Sequence, residues 1–283
     1  ALLINEFYDI PELYELCRTR KDGSILLSDM QGLSLYKGQK QTGESDNRDY
    51  FLPSLGQVKM RGKKCRGQVT LMALAGDNGV HHNHNDVGTF IFYKNKRMFL
   101  TDPGAPVYTS KTFSKDRYDI LFCNSLGHSV PLINGKQQKS GSRYFGAIEV
   151  DNLNERGVKT AVINMARAYP RGTVKQLTRE LHLDTSANSV VLTDSYVFNR
   201  KPSSIEEAFV TYENVTVMSG GRSVRIGPKR GGVRLSALDA EGKFRIQRMT
   251  KQSREGREKG ILKRIVFTPA NLKKKMCLSF LIK

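Results

Sequence analysis

The chain has 283 residues, with 46 Lys and Arg against 27 Asp and Glu, for a formal net charge of +19. Hydrophobic residues at 39% and charged residues at 26% predict a globular fold of one large domain, or one domain plus a fragment of another. No run of about 18 apolar residues occurs, which excludes a membrane-spanning helix, and the positive excess favours a polyanionic partner. Residues 1–17 carry apolar positions spaced for short helical turns, with Pro11 near a helix start after Asp9. This start lacks the basic and apolar regions of an intact secretion signal. Residues 18–49 turn polar and read as a connector, which divides the chain into a helical segment and linker over 1–48 and a β domain over 49–283.

From there the signals are strand-like. QVTLMALAG alternates Val69, Leu71 and Ala73 against Thr70 and Met72. In GTFIFYKNKRMFLTD, Phe90–Tyr93 and Met98–Leu100 flank a polar KNKR turn, which predicts a hairpin. HSVPLING, SRYFGAIEV, KTAVINMAR, QLTRELHLD, SVVLTDSYVF, EEAFVTY, NVTVMSG, SVRIG, VRLSAL, FRIQRMT, ILKRIVFTP and MCLSFLI continue the pattern. Some fifteen short strands with no long helical period predict an all-β fold, a large antiparallel β-sandwich of two multi-stranded sheets. Basic clusters at 61–66, 227–234, 251–264 and 273–275 come without an RNP motif, zinc-finger spacing or phosphate loop, so the charge selects an acidic polymer without naming one. Cys17, Cys65, Cys123 and Cys277 are far apart, with no CxxC pair, and read as ordinary free thiols, two bridges being the open alternative.

Three of the five histidines fall in GVHHNHNDVGTF, residues 79–90. On a strand or its approach, His82, His84 and Asp86 share one face, with Asn83 and Asn85 on the other. The hairpin returns Asp102 beside His84, and His128 follows at the expected start of the next strand. His84, Asp102 and His128 then make a set of two nitrogens and one oxygen, suited either to a zinc tetrahedron completed by water or another ligand, or to mutual hydrogen bonding. His81 reads as a loop residue and His182 as a strand-surface residue; Asp86 is placed to orient an imidazole.

HHNHNDVGTFIFYKNKRMFLTDPGAPVY followed by SKDRYDILFCNSLGHSVPLINGKQQ resembles the heparinase II/III-like polysaccharide lyases. There the order is HxHxDxxxF, a strand, an acidic residue before Pro-Gly, an Arg, and a His opening a segment that ends in NG. YFLPSLGQVKMR upstream and ARAYP, LTRELHLD and VVLTDSY downstream extend the likeness over about 50–200. The resemblance implies a C-terminal β-sandwich that normally accompanies an N-terminal helical toroid, here at most a remnant. It also implies a structural zinc on His84, Asp102 and His128.

The implied reaction is β-elimination on an acidic, uronate-containing polysaccharide, with a heparin- or heparan-sulfate-like polymer preferred on charge. It needs a neutralised carboxylate, a base and a proton donor. The resemblance assigns His82 as base or neutraliser, Tyr108 or Tyr118 as proton donor, and Arg117 as substrate contact or structural partner. The alternative is a non-catalytic, zinc-stabilised carbohydrate-binding module. Nucleic acid leaves the His and Asp residues without a role. A helical toroid domain or subunit is the expected protein partner, and a periplasmic or secreted location the expected setting.

Overall fold

The computed structural model describes residues 48–238 and 241–283. The helical segment and connector expected ahead of residue 48 lie outside them. In the compact unit Asp49–Lys283 the strands are, in chain order, β1 (Tyr50–Leu52), β2 (Gln57–Arg61), β3 (Val69–Leu74), β4 (Gly76–Asn78), β5 (Phe90–Lys94) and β6 (Arg97–Leu100). There follow β7 (Leu132–Ile133), β8 (Gly141–Asp151), β9 (Val158–Asn164), β10 (Gln176–Asp184), β11 (Ser189–Val197) and β12 (Ile205–Thr211). The last six are β13 (Val215–Met218), β14 (Ser223–Ile226), β15 (Val233–Ala237), β16 (Gly242–Arg248), β17 (Lys263–Pro269) and β18 (Lys275–Ile282). Only short 3-10 turns interrupt them, and the fold is an all-β antiparallel sandwich.

Two large sheets were expected; the described residues form three. A nine-stranded sheet runs β13-β14-β15-β18-β11-β10-β9-β8-β4, a five-stranded one β1-β2-β3-β5-β6, and a four-stranded one β16-β17-β12-β7. The two smaller sheets adjoin where Thr101 N–H, just past β6, donates to the Val210 carbonyl of β12 at 3.0 Å. Period-2 patterns explain the strands: β3 buries Val69, Leu71 and Ala73, and β10 buries Leu177, Arg179, Leu181 and Leu183 on one side. All three sheets contribute to one hydrophobic core. At its centre Phe209, Phe244 and Phe267 of the four-stranded sheet meet Phe280 of β18, with ring centroids 5.1 Å (Phe209–Phe280), 5.0 Å (Phe244–Phe267) and 5.3 Å (Phe267–Phe280) apart. Each such burial is worth roughly 1.5–3 kcal/mol.

Three features position the functional region. The β5–β6 hairpin turns through Asn95 and Lys96, both at positive φ (52° and 64°), the backbone a tight hairpin turn requires. Between β3 and β4 the chain leaves the five-stranded sheet and joins the nine-stranded one, entering β4 at Gly76 with φ 83°. The expected HSVPLING strand shrinks to Leu132–Ile133, because the preceding residues are held in 3-10 turns by side-chain and backbone hydrogen bonds rather than by a neighbouring strand.

Candidate metal centre and cleft

The loop from β4 to β5 contains the histidines, and it is not a strand. A turn closed by Asn83 N–H to the Val80 carbonyl (3.2 Å) places His81 and His82 at its centre. His82 has φ 59°, a left-handed conformation that a period-2 argument does not describe. The shared face expected for His82 and His84 is therefore corrected: His82 is exposed and His84 is half-buried, turned toward a different set of neighbours.

Asn83 is the pivot. Arg117 Nη2 donates to its carbonyl at 2.9 Å, Tyr118 Oη donates to its Oδ1 at 2.8 Å, and its own Nδ2 donates to the His84 carbonyl at 3.0 Å. Arg117 Nη1 also reaches the Thr112 carbonyl at 3.0 Å. Both Arg117 and Tyr118 thus hold the backbone that sends His82 outward and His84 inward.

Inward, His84, Asp86, Asp102 and His128 bring ligand atoms within 4.8 Å of one another. Each comes from a differently fixed segment. Asp102 follows β6, where its Oδ1 accepts from Gly104 N–H at 2.8 Å, the turn that Asp-Pro-Gly favours. His128 does not open a strand as expected; it ends a 3-10 turn at Ser125–Gly127, with Asn124 Oδ1 capping Leu126 N–H. Asp86 lies in a buried stretch clamped by Gln138, whose amide accepts from Val87 N–H (2.9 Å) and donates to the Val87 carbonyl (2.7 Å).

The electrostatics suit a divalent cation. His128 is fully buried, and its Nε2 lies 3.0 Å from the Phe122 carbonyl, which leaves Nδ1 facing the carboxylates. Nδ1 makes no well-aligned hydrogen bond, although Asp102 Oδ2 lies 3.2 Å and Asp86 Oδ2 3.6 Å away. Without a cation the four groups share protons unevenly. Burial favours the neutral forms, lowering His84 to about 4 with help from His128 and raising Asp86 to about 6. At Asp102 burial is outweighed by His128, which holds the carboxyl at about 2. Burial would also lower His128, yet Asp86 and Asp102 raise it to about 9. Two neutral imidazoles and two carboxylates carry −2, the complement of a divalent ion, and nitrogen with carboxylate oxygen is a donor set zinc accepts. His84, Asp102 and His128 were anticipated together. Asp86 as a fourth member was not, although its place two residues after His84 was the available signal.

Outward, the His82 ring stacks on Tyr108 (centroids 5.7 Å, planes 12° apart), and Phe113 stands edge-on to both rings at 6.1 and 5.5 Å. Tyr108 is 41% and Phe113 66% exposed. His82 and Phe113 border an open cleft, lined also by Asn78, Asn83, Arg117 and Tyr118, among others, and Tyr108 stacks on His82 at its edge. His81 also faces the cleft from the turn, and His182 lies on β10, 3.0 Å from Glu180 Oε2.

Solved structures share this fold. A heparan sulfate lyase HepC from Pedobacter heparinus matches with a TM-score of 0.63 at 14% identity, over 89% of this chain and 38% of that one. A heparinase III (BT4657 gene product) matches with a TM-score of 0.64 at 14% identity, over 96% and 41%. The chain thus spans about two fifths of their length. No curated protein matches it. The chain belongs to the family described as Heparinase II/III-like, C-terminal, which matches residues 45–280.

Proposed function

We propose that this chain is the β-sandwich part of a polysaccharide lyase that cleaves an acidic, uronate-containing polymer, heparin- or heparan-sulfate-like by preference, outside the cytoplasm in the periplasm or beyond. One observation carries the reading: an exposed imidazole, His82, stacked on an exposed tyrosine, Tyr108, at a cleft beside a buried His/Asp cluster. Family membership and the lyases among its structural neighbours support the same class.

In the proposed reaction the base takes the C5 proton beside the uronate carboxylate. The C5–H electron pair forms the C4–C5 double bond, the C4–O bond breaks, and the leaving oxygen takes a proton. His82 is the base or the carboxylate neutraliser. Tyr108, whose hydroxyl has no hydrogen-bond partner among the described residues, suits the donor's role better than Tyr118, whose hydroxyl is engaged by Asn83. Arg117 positions His82 through Asn83 and Thr112. A zinc bound by His84, Asp102 and His128, with Asp86, would be structural, tying together the loops that carry His82 and Tyr108.

A second reading is a non-catalytic, zinc-stabilised carbohydrate-binding module. It is favoured by the same engagement of Arg117 and Tyr118 in loop support. The test mixes the full-length protein, with a helical toroid domain supplied if separate, with heparin, heparan sulfate or alginate, and follows the ultraviolet absorbance of the new double bond. Rising absorbance supports the lyase; binding without any rise supports the module.

A further inference from the structure

The segment KQSREGREK, residues 251–259, is distant in sequence from the cleft but docks beside it. Val107 N–H donates to the Glu255 carbonyl at 2.7 Å, and Pro106 and Gly256 form an isolated antiparallel bridge. Gly256 is packed so closely on Phe122 that an added Cβ would lie 2.2 Å from its ring. Phe122 is the residue whose carbonyl meets His128 Nε2, so the loop rests on the same support as the metal centre. A loop seated by these contacts, carrying Lys251, Arg254, Arg257 and Lys259 with Glu255 and Glu258, thus adjoins the exposed aromatic rings.

Arg257 is the member aimed at those rings. Its Nε donates to the Pro106 carbonyl at 3.2 Å, and its guanidinium carbon lies 4.9 Å from the centroid of Tyr108, the ring stacked on His82. Its two Nη groups have no hydrogen-bond partner, and no carboxylate pairs with it, among the described residues. One hydrogen bond and one cation–π contact hold the guanidinium at the ring while leaving its outer donors available. That is the preorganised state in which arginine takes an oxyanion bidentately.

We infer that Arg257 is a specificity-determining residue: its Nη groups bind an anionic substituent, sulfate or carboxylate, of a sugar unit packed against Tyr108. This rests on the proposed polysaccharide as substrate. It assigns the C-terminal half of the chain a direct contact with the polymer, beyond completing the sheets.

The test is calorimetric titration of the full-length protein and its Arg257→Gln and Arg257→Lys variants. Three ligands are used: heparan sulfate oligosaccharides, the same chains desulfated, and the same chains carboxyl-reduced. Arg257 is exposed, and an unchanged melting temperature confirms folding. The expected result is that Arg257→Gln weakens binding to the unmodified chains about tenfold, and that Arg257→Lys restores part of it. The loss vanishes on desulfated chains if sulfate is the ligand, and on carboxyl-reduced chains if carboxylate is. Unchanged affinity for Arg257→Gln, an equal loss on all three ligands, or no binding by the unsubstituted protein overturns the inference. Because the readout is affinity, a protein that binds through Arg257 but produces no double bond would refute the lyase reading alone.

Discussion

Arg179 and Asp194, neighbours on β10 and β11, form a fully buried bidentate pair, Nε–Oδ1 2.8 Å and Nη2–Oδ2 2.5 Å. The remaining Arg179 nitrogen, Nη1, donates to the Gly88 carbonyl at 2.8 Å and the Ser129 carbonyl at 2.6 Å. Gly88 lies two residues past Asp86, and Ser129 directly follows His128. Burial and the neighbouring Asp194 keep the Glu207 carboxyl well above the usual range, and its Oε2 lies 3.7 Å from Arg179 Nη2. Arg179→Gln leaves Asp194 buried without its counter-charge and should cost about 3–5 kcal/mol in denaturant unfolding. It should also loosen both backbone anchors and lower zinc affinity by roughly tenfold or more, read by competition with a chelator. A variant with unaltered stability would contradict this role.

Metal content tests the centre directly. His84→Ala should yield protein without stoichiometric zinc. At about a hundredfold excess of metal over Kd, the stabilisation lost is about 2.7 kcal/mol. Asp86→Asn separates two roles: a ligand or orienting carboxylate should weaken zinc roughly 10- to 100-fold, whereas an irrelevant neighbour leaves it unchanged. Zinc retained at full occupancy by His84→Ala would sink the assignment.

Stability should fall with pH in the metal-free protein over an interval where the metal-loaded protein holds it. Without metal, His128 titrates at about 9 when folded against an ordinary 6.5. Its contribution is complete below pH 6.5 and lost as pH rises through 9. Asp102, at about 2 against 3.8, contributes above pH 3.8 and loses that contribution only as pH falls through 2. Asp86, raised to about 6, has already given up its preference for the protonated form by neutrality. The chelated protein should therefore lose melting temperature between pH 6.5 and 9. The increment gained on adding zinc should grow over that same interval, because metal must displace the His128 proton. Thermal melts with and without chelator decide it, and two parallel profiles would refute the proposal.

Under the lyase reading, His82→Ala and Tyr108→Phe should each reduce kcat by about a hundred- to ten-thousandfold while leaving zinc content intact. Tyr118→Phe should act differently, through a looser Asn83, and should cost less. If Tyr118→Phe abolishes turnover and Tyr108→Phe does not, the proton donor has been assigned to the wrong ring.

Much of the sandwich was legible because alternation is a backbone property: β9, β10, β11 and β18 bury every second residue, and the Asn95–Lys96 turn follows from local chemistry. The neighbourhood of Asp102 and His84 was legible for the same reason, since a hairpin must return its end to its start. The His82–His84 relationship was not, because one residue at φ 59° breaks the period that would relate them. The clamping of Val87 by Gln138, 51 residues away, leaves no local trace in sequence, nor does the split of one expected sheet into two. Arg257 was visible only as one cation in a basic cluster, because its value comes from a bridge to Pro106.

That bridge divides the site by origin. The four clustered His and Asp residues all fall between residues 84 and 128, within one stretch of chain, while the arginine at the rim arrives from 151 residues beyond Pro106. The 251–259 loop thus adds one cation to a rim whose rings, His82, Tyr108 and Phe113, come from the same stretch as the cluster. If Arg257 binds the polymer as proposed, a different 251–259 loop that keeps Gly256 against Phe122 would change the anionic groups selected, with the centre underneath left as it was.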